Sequence, residues 1–404
     1  MQTNLPNIRH LRVVQQVAFH NSISKASANI FLSQPAITQA ISKLEQQLEH
    51  SLFDRRSSGM YLTTAGEVFH GRIERAMSIL LEGVKEAGRV SSSPEVPNAA
   101  HIVQLLTTTQ LRALIAVYEA QNFSLAGRNL GISQSSVHRA ARELEDIMQI
   151  TLFEKSNVGI IPTKAADALT KAAKLAFSEI RQGFDELSSL HSRDVGRIII
   201  GSMPLARTSI LPAAINQFEK QYPDIMLSVV DGPYSDLLYH LRHGDIDMLI
   251  GALRFPAPSD NIIQRELFNP HLAIFARTNH PLQQIETPQL TDLNQYSWVV
   301  PRKGTPARKV FEQLFEEADL PIPTRLVETS SQLLVRELLL GSDRIALTSA
   351  EQFRREEGLD LLKPIDINLQ HTKRPVGLTL RSNWQPTRSQ QAFIEALEGN
   401  AKDF

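Results

Sequence analysis

The 404-residue chain contains no cysteine, which excludes disulfides, thiolate metal sites and cysteine nucleophiles and suits a reducing compartment. It also lacks net charge: 42 Lys and Arg against 43 Asp and Glu leave a formal balance of −1. Proteins that coat nucleic acid by charge alone carry a basic excess, so that class is set aside. A sequence-specific reader with locally placed basic residues is not. There is no run of about 18 apolar residues, and the start, Met-Gln-Thr-Asn-Leu-Pro, has neither a basic nor an apolar leader segment. The expectation is a cytoplasmic protein without membrane contact. Zinc-protease, nucleophile-elbow and phosphate-loop motifs are absent as well, and His240 and His243 have no convincing carboxylate ligand pattern beside them. Neither an enzyme nor a cofactor is therefore expected. What remains is a chain long enough for several cores, with 42% hydrophobic and 21% charged residues, and nothing that indicates disorder.

The most informative stretch is residues 33–45. Ala36, Ile37, Ala40, Ile41 and Leu44 fall at helical spacing on one face, opposite Gln34, Thr38, Gln39, Ser42 and Lys43. Ser33 suits an N-cap, and Pro35 in the first turn removes an N–H that needs no intrahelical partner. A short helix with an apolar back and an amide- and hydroxyl-rich front fits a DNA major groove, where Gln bonds adenine and Ser or Thr bonds either member of a pair. The stretch has an echo 100 residues later, Ser133-Gln134-Ser135-Ser136-Val137-His138-Arg139-Ala140-Ala141-Arg142-Glu143-Leu144-Glu145. Without gaps, residues 8–66 and 108–166 share sixteen identities, among them Leu11-Arg12, Leu44-Glu45, Leu52-Phe53, Gly59 and Thr63 with their counterparts. The N-terminal half is thus an internal duplication.

In order along the chain, residues 8–20 read as a helix and 24–30 as a second, small-residue helix. A break at Phe31-Leu32 precedes the reading helix. Leu52–Arg56 and Met60–Thr63 flank Ser57-Ser58-Gly59 as a hairpin wing, with Arg55 and Arg56 suited to phosphates. A long helix follows from Thr64 to about Val90, striped by Phe69, Ile73, Ala76, Ile79, Leu80 and Val84, and then a Ser/Pro linker, residues 91–98. The second copy leads into another long helix to Leu190, striped by Leu169, Ala172, Leu175, Ala176, Ile180, Phe184 and Leu187. From Val195 the periodicity changes to strands alternating with helices, which predicts a mostly parallel sheet.

These features resemble the LysR-type transcriptional regulators. The likeness rests on Ser-Gln-Pro-Ala-Ile-Thr, Leu-Glu, Leu-Phe-Asp-Arg and Leu-Thr-Thr-Ala-Gly in residues 8–66, and on an eroded version in 108–166, where Ser135 and Ala166 replace Pro and Gly. Gly-Arg-Ile-Ile-Ile-Gly and Leu-Arg-His-Gly-Asp-Ile-Asp-Met-Leu-Ile-Gly look like the start of the family's effector domain, whose fold resembles type II periplasmic binding proteins. The Val-Pro-Arg-Lys-Gly-Thr-Pro run resembles the subset named after the galactose-binding-protein regulator.

The resemblance implies an α+β multidomain architecture. Residues 1–66 form a first winged helix-turn-helix, 67–102 a long helix and linker, 103–164 a second winged helix-turn-helix, 165–194 a linker or dimerisation helix, and 195–404 a two-lobed α/β effector domain. Lobe I spans about 195–268 and 372–404, lobe II about 269–371. It also implies that the first long helix pairs two subunits. Asp245 and Asp247 match a structural turn of the family.

The expected DNA contacts are Ser33, Gln34, Pro35, Thr38, Gln39, Lys43, Arg55 and Arg56 from the first copy, with Gln39 departing from the family's frequent Arg. From the second they are Gln134, Ser135, His138, Arg139, Arg142 and Lys155, a more basic front. The alternative for that copy is a domain kept only for dimerisation or spacing. Loops at strand ends and helix starts favour anions. Ser202, Met203, Pro204, Leu205 and Arg207, Thr305, and Thr329 and Ser330 are therefore expected around the effector. By family likeness Ala252 and Arg254 join them, with Tyr234 as an aromatic wall; Ala252 stands where aromatic-acid responders carry Arg. The expected partners are double-stranded DNA, a small organic acid or sugar-related effector, further copies in a homodimer or homotetramer, and RNA polymerase. A solute-binding protein without DNA function is the reading from a different class.

Overall fold

The computed structural model describes residues 5–30, 32–91, 98–157, 159–190, 194–208, 210–367, 369 and 372–403. The expected break at Phe31 and most of the Ser/Pro linker, 92–97, lie outside the described residues. The chain forms two compact units, residues 1–196 with 243–245, and residues 197–242 with 246–404. No helix among the described residues is long and apolar enough to cross a membrane.

The first unit carries the duplication. Its first half runs α1 (Ile8–His20), α2 (Ile23–Ile30), α3 (Gln34–Leu48), the hairpin β1 (Phe53–Arg56) and β2 (Gly59–Leu62), and α4 (Thr64–Val90). An added short helix, α5 (Ala99–Leu105), leads into the second half. There α6 (Thr108–Ala120), α7 (Phe123–Leu130), α8 (Gln134–Met148), β3 (Phe153–Ser156), β4 (Gly159–Pro162) and α9 (Lys164–Leu190) repeat the order.

Several shared residues owe their identity to one repeated wiring. Glu45 Oε1 accepts from the backbone N–H of Leu52 at 2.8 Å and of Phe53 at 3.3 Å, and Glu145 Oε1 does the same for Leu152 and Phe153 at 2.8 and 3.1 Å. Each glutamate ties the reading helix to the first strand of its wing. Thr63 and Thr163 cap the long helices and donate back to the carbonyls of Ser51 and Thr151. At the wing tips Gly59 and Gly159 hold φ of 145° and 139°, and a Cβ at Gly59 would sit 2.4 Å from the carbonyl oxygen of Asn21. That carbonyl accepts from Met60 N–H at 3.0 Å, so the wing docks on the end of α1 and leaves room only for glycine.

The long helices depart from what the family resemblance implies. The apolar stripe of α4, with Phe69, Ile73, Ala76, Leu80 and Val84 buried, is covered by α9 of the same chain, whose Leu169, Ala173, Ala176, Ile180 and Leu187 are buried in the same core. Ile79 and Phe184 sit half-buried at the edges. Between the helices lies a buried ionic network. Arg72, 4% exposed, donates to Glu179 Oε2 and Gln182 Oε1 at 2.9 Å each and to both oxygens of Glu186, while Arg75 donates to Glu179 at 3.0 Å. α4 therefore spends its stripe within the chain rather than on a second subunit.

The second unit holds two five-stranded sheets. The chain runs β5 (Gly196–Ser202), α10 (Pro204–Thr208), α11 (Ile210–Glu219), β6 (Ile225–Asp231), α12 (Tyr234–His243), β7 (Met248–Ala252) and β8 (Ile262–Phe268). It crosses to β9 (Leu272–Arg277), α13 (Leu290–Leu293), β10 (Trp298–Val300), α14 (Pro306–Glu317), β11 (Leu326–Glu328), α15 (Gln332–Leu340), β12 (Ile345–Ser349), α16 (Arg354–Gly358) and β13 (Leu362–Pro364). It returns through β14 (Val376–Arg381) and ends in α17 (Arg388–Asn400). The sheet orders are β6-β5-β7-β14-β8 and β11-β10-β12-β9-β13. Both are mixed rather than mostly parallel. β5 and β7, and β10 with β11 and β12, pair in parallel, whereas β14 and β9 run antiparallel to both of their neighbours. β14 and β9 are the strands by which the chain enters each sheet from the other, so no helical crossover dictates their direction.

Phe218, Tyr222 and Phe393 pack under the first sheet, and Trp298, Phe311 and Phe315 under the second, with ring centroids 4.8–5.7 Å apart. Asp247 is buried and accepts from Ile199 N–H at 2.8 Å, a structural role as the turn motif implied.

Breaking a buried ion pair on one side costs about 3–5 kcal/mol because the partner charge stays buried. Arg72→Met is therefore expected to lower the unfolding free energy of the first unit, followed by helical ellipticity in urea, by that order, with a lower midpoint. Arg89→Ala, at an exposed i,i+3 pair, leaves the midpoint unchanged; equal shifts in the two variants would contradict a structural network at Arg72.

Candidate functional site

The helices α3 and α8, expected from the sequence to face DNA, present the same pattern of exposure. In α3, Ile37, Ala40, Ile41 and Leu44 are buried, while Gln34, Pro35, Gln39 and Lys43 are exposed and Thr38 is half-buried. Ser33 uses its hydroxyl to accept from Ala36 N–H at 3.4 Å, and Thr38 donates to the carbonyl of Gln34 at 3.0 Å. Those hydroxyls are engaged locally, which leaves the Gln34 and Gln39 amides and the Lys43 ammonium as the outward donors of this front. On the wing, Arg55 is exposed, and Arg56 stands 5.4 Å from the Tyr61 ring centre and 3.5 Å from Asp54.

The second front is wired differently. Gln134 accepts from Ser124 Oγ at 2.7 Å, and Ser135 is bonded to the capping Ser133. His138 is half-buried with its ring 5.0 Å from that of Phe123. Arg142 donates to Glu145 at 2.8 Å, neutralising the carboxylate that holds the wing, so part of its role is structural. Arg139 and Lys155 are exposed, with Arg139 only 3.8 Å from Glu143. Missed by sequence reasoning was Arg12, whose guanidinium donates to the carbonyls of Val103 and Leu106 at 2.8 and 2.9 Å. Burial lowers its pKa to about 10, with repulsion from Arg9 contributing. It fastens α5 and faces no solvent front.

In the second unit a cavity of about 160 Å³ is lined from both sheets. Met203, Pro204, Leu205, Ala252, Thr305, Thr329 and Ser330 all line it. Met203 lies over Gly251, where a Cβ would come within 2.5 Å of its sulfur. Thr305 caps α14 and Ser331 caps α15, so two helix starts border the cavity. Ser202, Arg207, Tyr234 and Arg254 are not among the lining residues. Ser202 is buried with its hydroxyl turned to the Met203 carbonyl, and Arg207 is drawn to Asp231 at 3.3 Å.

The remaining two form a pair of their own. The Arg254 guanidinium lies 4.6 Å over the Tyr234 ring, with Nη1 buried and without a hydrogen-bond partner, as is the Tyr234 hydroxyl. Arg374, which does line the cavity, has its Nε in the same condition. Burial first, and repulsion from Arg254 second, lower the Arg374 pKa to about 10. Arg254 is lowered by burial against a small opposing effect of Tyr234, and Tyr234 is raised by burial. Arg374 is not legible in the sequence because it precedes β14, the strand by which the chain returns from the other sheet. Gln332 and Gln352 also line the cavity without having been singled out. Among the described residues no group of three or more His, Asp or Glu is placed to hold a metal ion.

With this geometry in view, comparison with known proteins is direct. The model of the bacterial regulatory helix-turn-helix protein of the lysR family matches residues 8–67 and again 108–167, and the LysR substrate binding domain matches 191–402. The HTH-type transcriptional regulator GalR of Pseudomonas putida is 31% identical over 383 residues, covering 95% of this chain and 94% of its own. An alignment of that length has to run through both head copies. PcaQ of Agrobacterium fabrum is 25% identical over 294 residues, 73% of this chain and 94% of its own. The crystal structure of CbnR, a LysR family transcriptional regulator, shares the fold with a TM-score of 0.52 at 20% identity, covering 73% of this chain and 99% of its own. A full-length OxyR variant from Pseudomonas aeruginosa does so with a TM-score of 0.54 at 18% identity, covering 74% and 95%. The chain belongs to the LysR family of helix-turn-helix transcriptional regulators, with its DNA-binding domain present twice ahead of one substrate-binding domain.

Proposed function

We propose that this regulator reads duplex DNA through the exposed fronts of α3 and α8, and that a small organic anion bound in the cavity of the second unit controls it. For DNA, the supporting observation is the shared exposure pattern: each reading helix buries its apolar back and leaves amides and cations outward. Gln34 and Gln39 face bases, Lys43, Arg55 and Arg56 approach phosphates, and Arg139 with Lys155 serve the second head. Ser33, Pro35, Thr38, Gln134, Ser135, His138 and Arg142 shape and orient those fronts.

For the effector, the observation that carries the reading is the pair of arginines with buried, unsatisfied N–H groups and no carboxylate among the causes of their shifts. Burying an unpaired cation is costly, and a carboxylate would relieve both charges while accepting from the N–H groups at the starts of α14 and α15. Met203, Pro204, Leu205 and Ala252 supply the apolar wall on one side, and Thr305, Thr329 and Ser330 border the other. A neutral sugar would leave the arginines unpaired. Closure of the two lobes on the anion would shift the protein between two assemblies by differential affinity.

This reading locates the protein in the cytoplasm with its DNA and makes RNA polymerase the partner through which it acts. Any homodimer or homotetramer then forms through surfaces other than the α4 stripe.

In footprinting on the promoter of its own gene, Gln34→Ala/Gln39→Ala is expected to weaken protection roughly 10- to 100-fold. Lys155→Ala should reduce the slope of log affinity against log salt by about 1. Unchanged protection by the first variant would sink the assignment of α3.

Thermal shift with a panel of hydroxybenzoates, aliphatic dicarboxylates and neutral sugars should show stabilisation by an acid. Arg374→Ala is expected to weaken that acid roughly 10- to 100-fold, the scale of a charged hydrogen bond. Stabilisation by a neutral sugar with no response to any acid would refute the anion reading.

A further inference from the structure

The α4–α9 pairing has the form of a symmetric dimer interface, although both helices belong to one chain. In an interface with a two-fold axis, a contact between i and j recurs between j and i of the partner. Here the offset of 100 residues plays the part of the partner. Gly83 faces Ala172, where a Cβ on the glycine would meet the alanine Cβ at 2.1 Å. Gly183 faces Arg72, whose Cβ would lie 3.3 Å away, and 83·172 and 183·72 are the same pair exchanged. At the other end, Ile8 N–H donates to Thr108 Oγ1 at 3.0 Å, and 8 and 108 are counterparts of each other. A residue meets its own counterpart only on the axis.

The charges break this symmetry in a way that selects the internal pairing. Arg72 of α4 meets Glu179 of α9, both about 5% exposed. The counterpart of Glu179 in α4 is Ile79, and the counterpart of Arg72 in α9 is Ala172. Two copies of α4 packed the same way would set Arg72 against Ile79 but keep Glu82 and Glu86 in the places of Gln182 and Glu186, whereas two copies of α9 would bury Glu179 against Ala172 and Leu175, the counterparts of Arg72 and Arg75. The α9–α9 pairing therefore leaves a buried carboxylate without a cation, and α4 supplies that cation in the α4–α9 pairing. Arg12 then ties α5, the start of the second half, to α1 of the first.

We propose, resting on the DNA-binding reading above, that a single chain is a complete two-headed reader, and that its operator consists of two unlike half-sites in a fixed order. A symmetric dimer of identical heads selects a palindrome. Here the heads differ where they face bases, for Gln39 stands where the other carries Arg139, and in what shapes the front, Pro35 and Thr38 against Ser135 and His138. Gln pairs with adenine and Arg with guanine in the major groove, so the half-sites differ at the base those positions contact. One α3 front and one α8 front are always presented together, and the order of half-sites follows the order of the heads.

The test selects duplexes from a random-sequence library with the full-length chain at moderate salt, then counts chains per selected duplex by mass photometry. The expected result is a non-palindromic bipartite site with two half-sites for every chain bound. Gln39→Arg should move one base from A toward G in a single half-site, and Arg139→Ala should relax specificity in the other alone. A palindrome with one chain per half-site, or a Gln39→Arg change appearing symmetrically in both halves, overturns the proposal while leaving DNA reading intact. Recovery of no sequence preference by the wild-type chain, with the fold confirmed by circular dichroism, overturns the DNA reading itself.

Discussion

Arg72 of α4, held by Glu179, Gln182 and Glu186 of α9, is the contact on which the first unit is arranged. A guanidinium that is 4% exposed is tolerated only when its N–H groups are satisfied. All the acceptors come from one helix that lies more than 100 residues away in sequence. Around it the two apolar stripes meet at Gly83 and Gly183, where the missing side chains let the backbones approach. The heads join these helices at the Thr63 and Thr163 caps, while the Glu45 and Glu145 clamps hold α3 and α8 to their wings. Packing, not recognition, accounts for many of the identities between the copies.

The two sites follow opposite economies of charge. In the heads, charged groups without a base to meet are neutralised locally, as Arg142 is by Glu145 and Arg139 partly by Glu143. The cavity of the second unit does the reverse. Arg254 and Arg374 repel one another, with Tyr234 offering only a ring face.

Much of this was legible in the chain because it is local. The reading helix showed itself through period and capping, the duplication through a gapless offset, and Met203, Thr305 and Thr329 through their places at strand ends and helix starts. Less visible was whatever depended on a partner far along the chain. β8 carries Gln264, Arg265 and Glu266 in its middle and does not look like a strand. β14 is antiparallel because it returns from the other sheet, a matter of route and not of pattern. Arg374 belongs to the cavity only because that return brings it there.

By itself the sequence determined the number of heads and the family, because periodicity, capping and motif spacing are written within a few turns of chain. Only the tertiary structure decided that α4 is covered by α9 of the same chain, that Arg142 serves the wing, and that Arg254 and Arg374 stand near each other unpaired. An apolar stripe states that it will be buried but does not name what buries it. An arginine likewise does not state its counter-ion. Both are settled by which distant groups the fold brings within a few ångströms, where burial makes each unmet charge expensive.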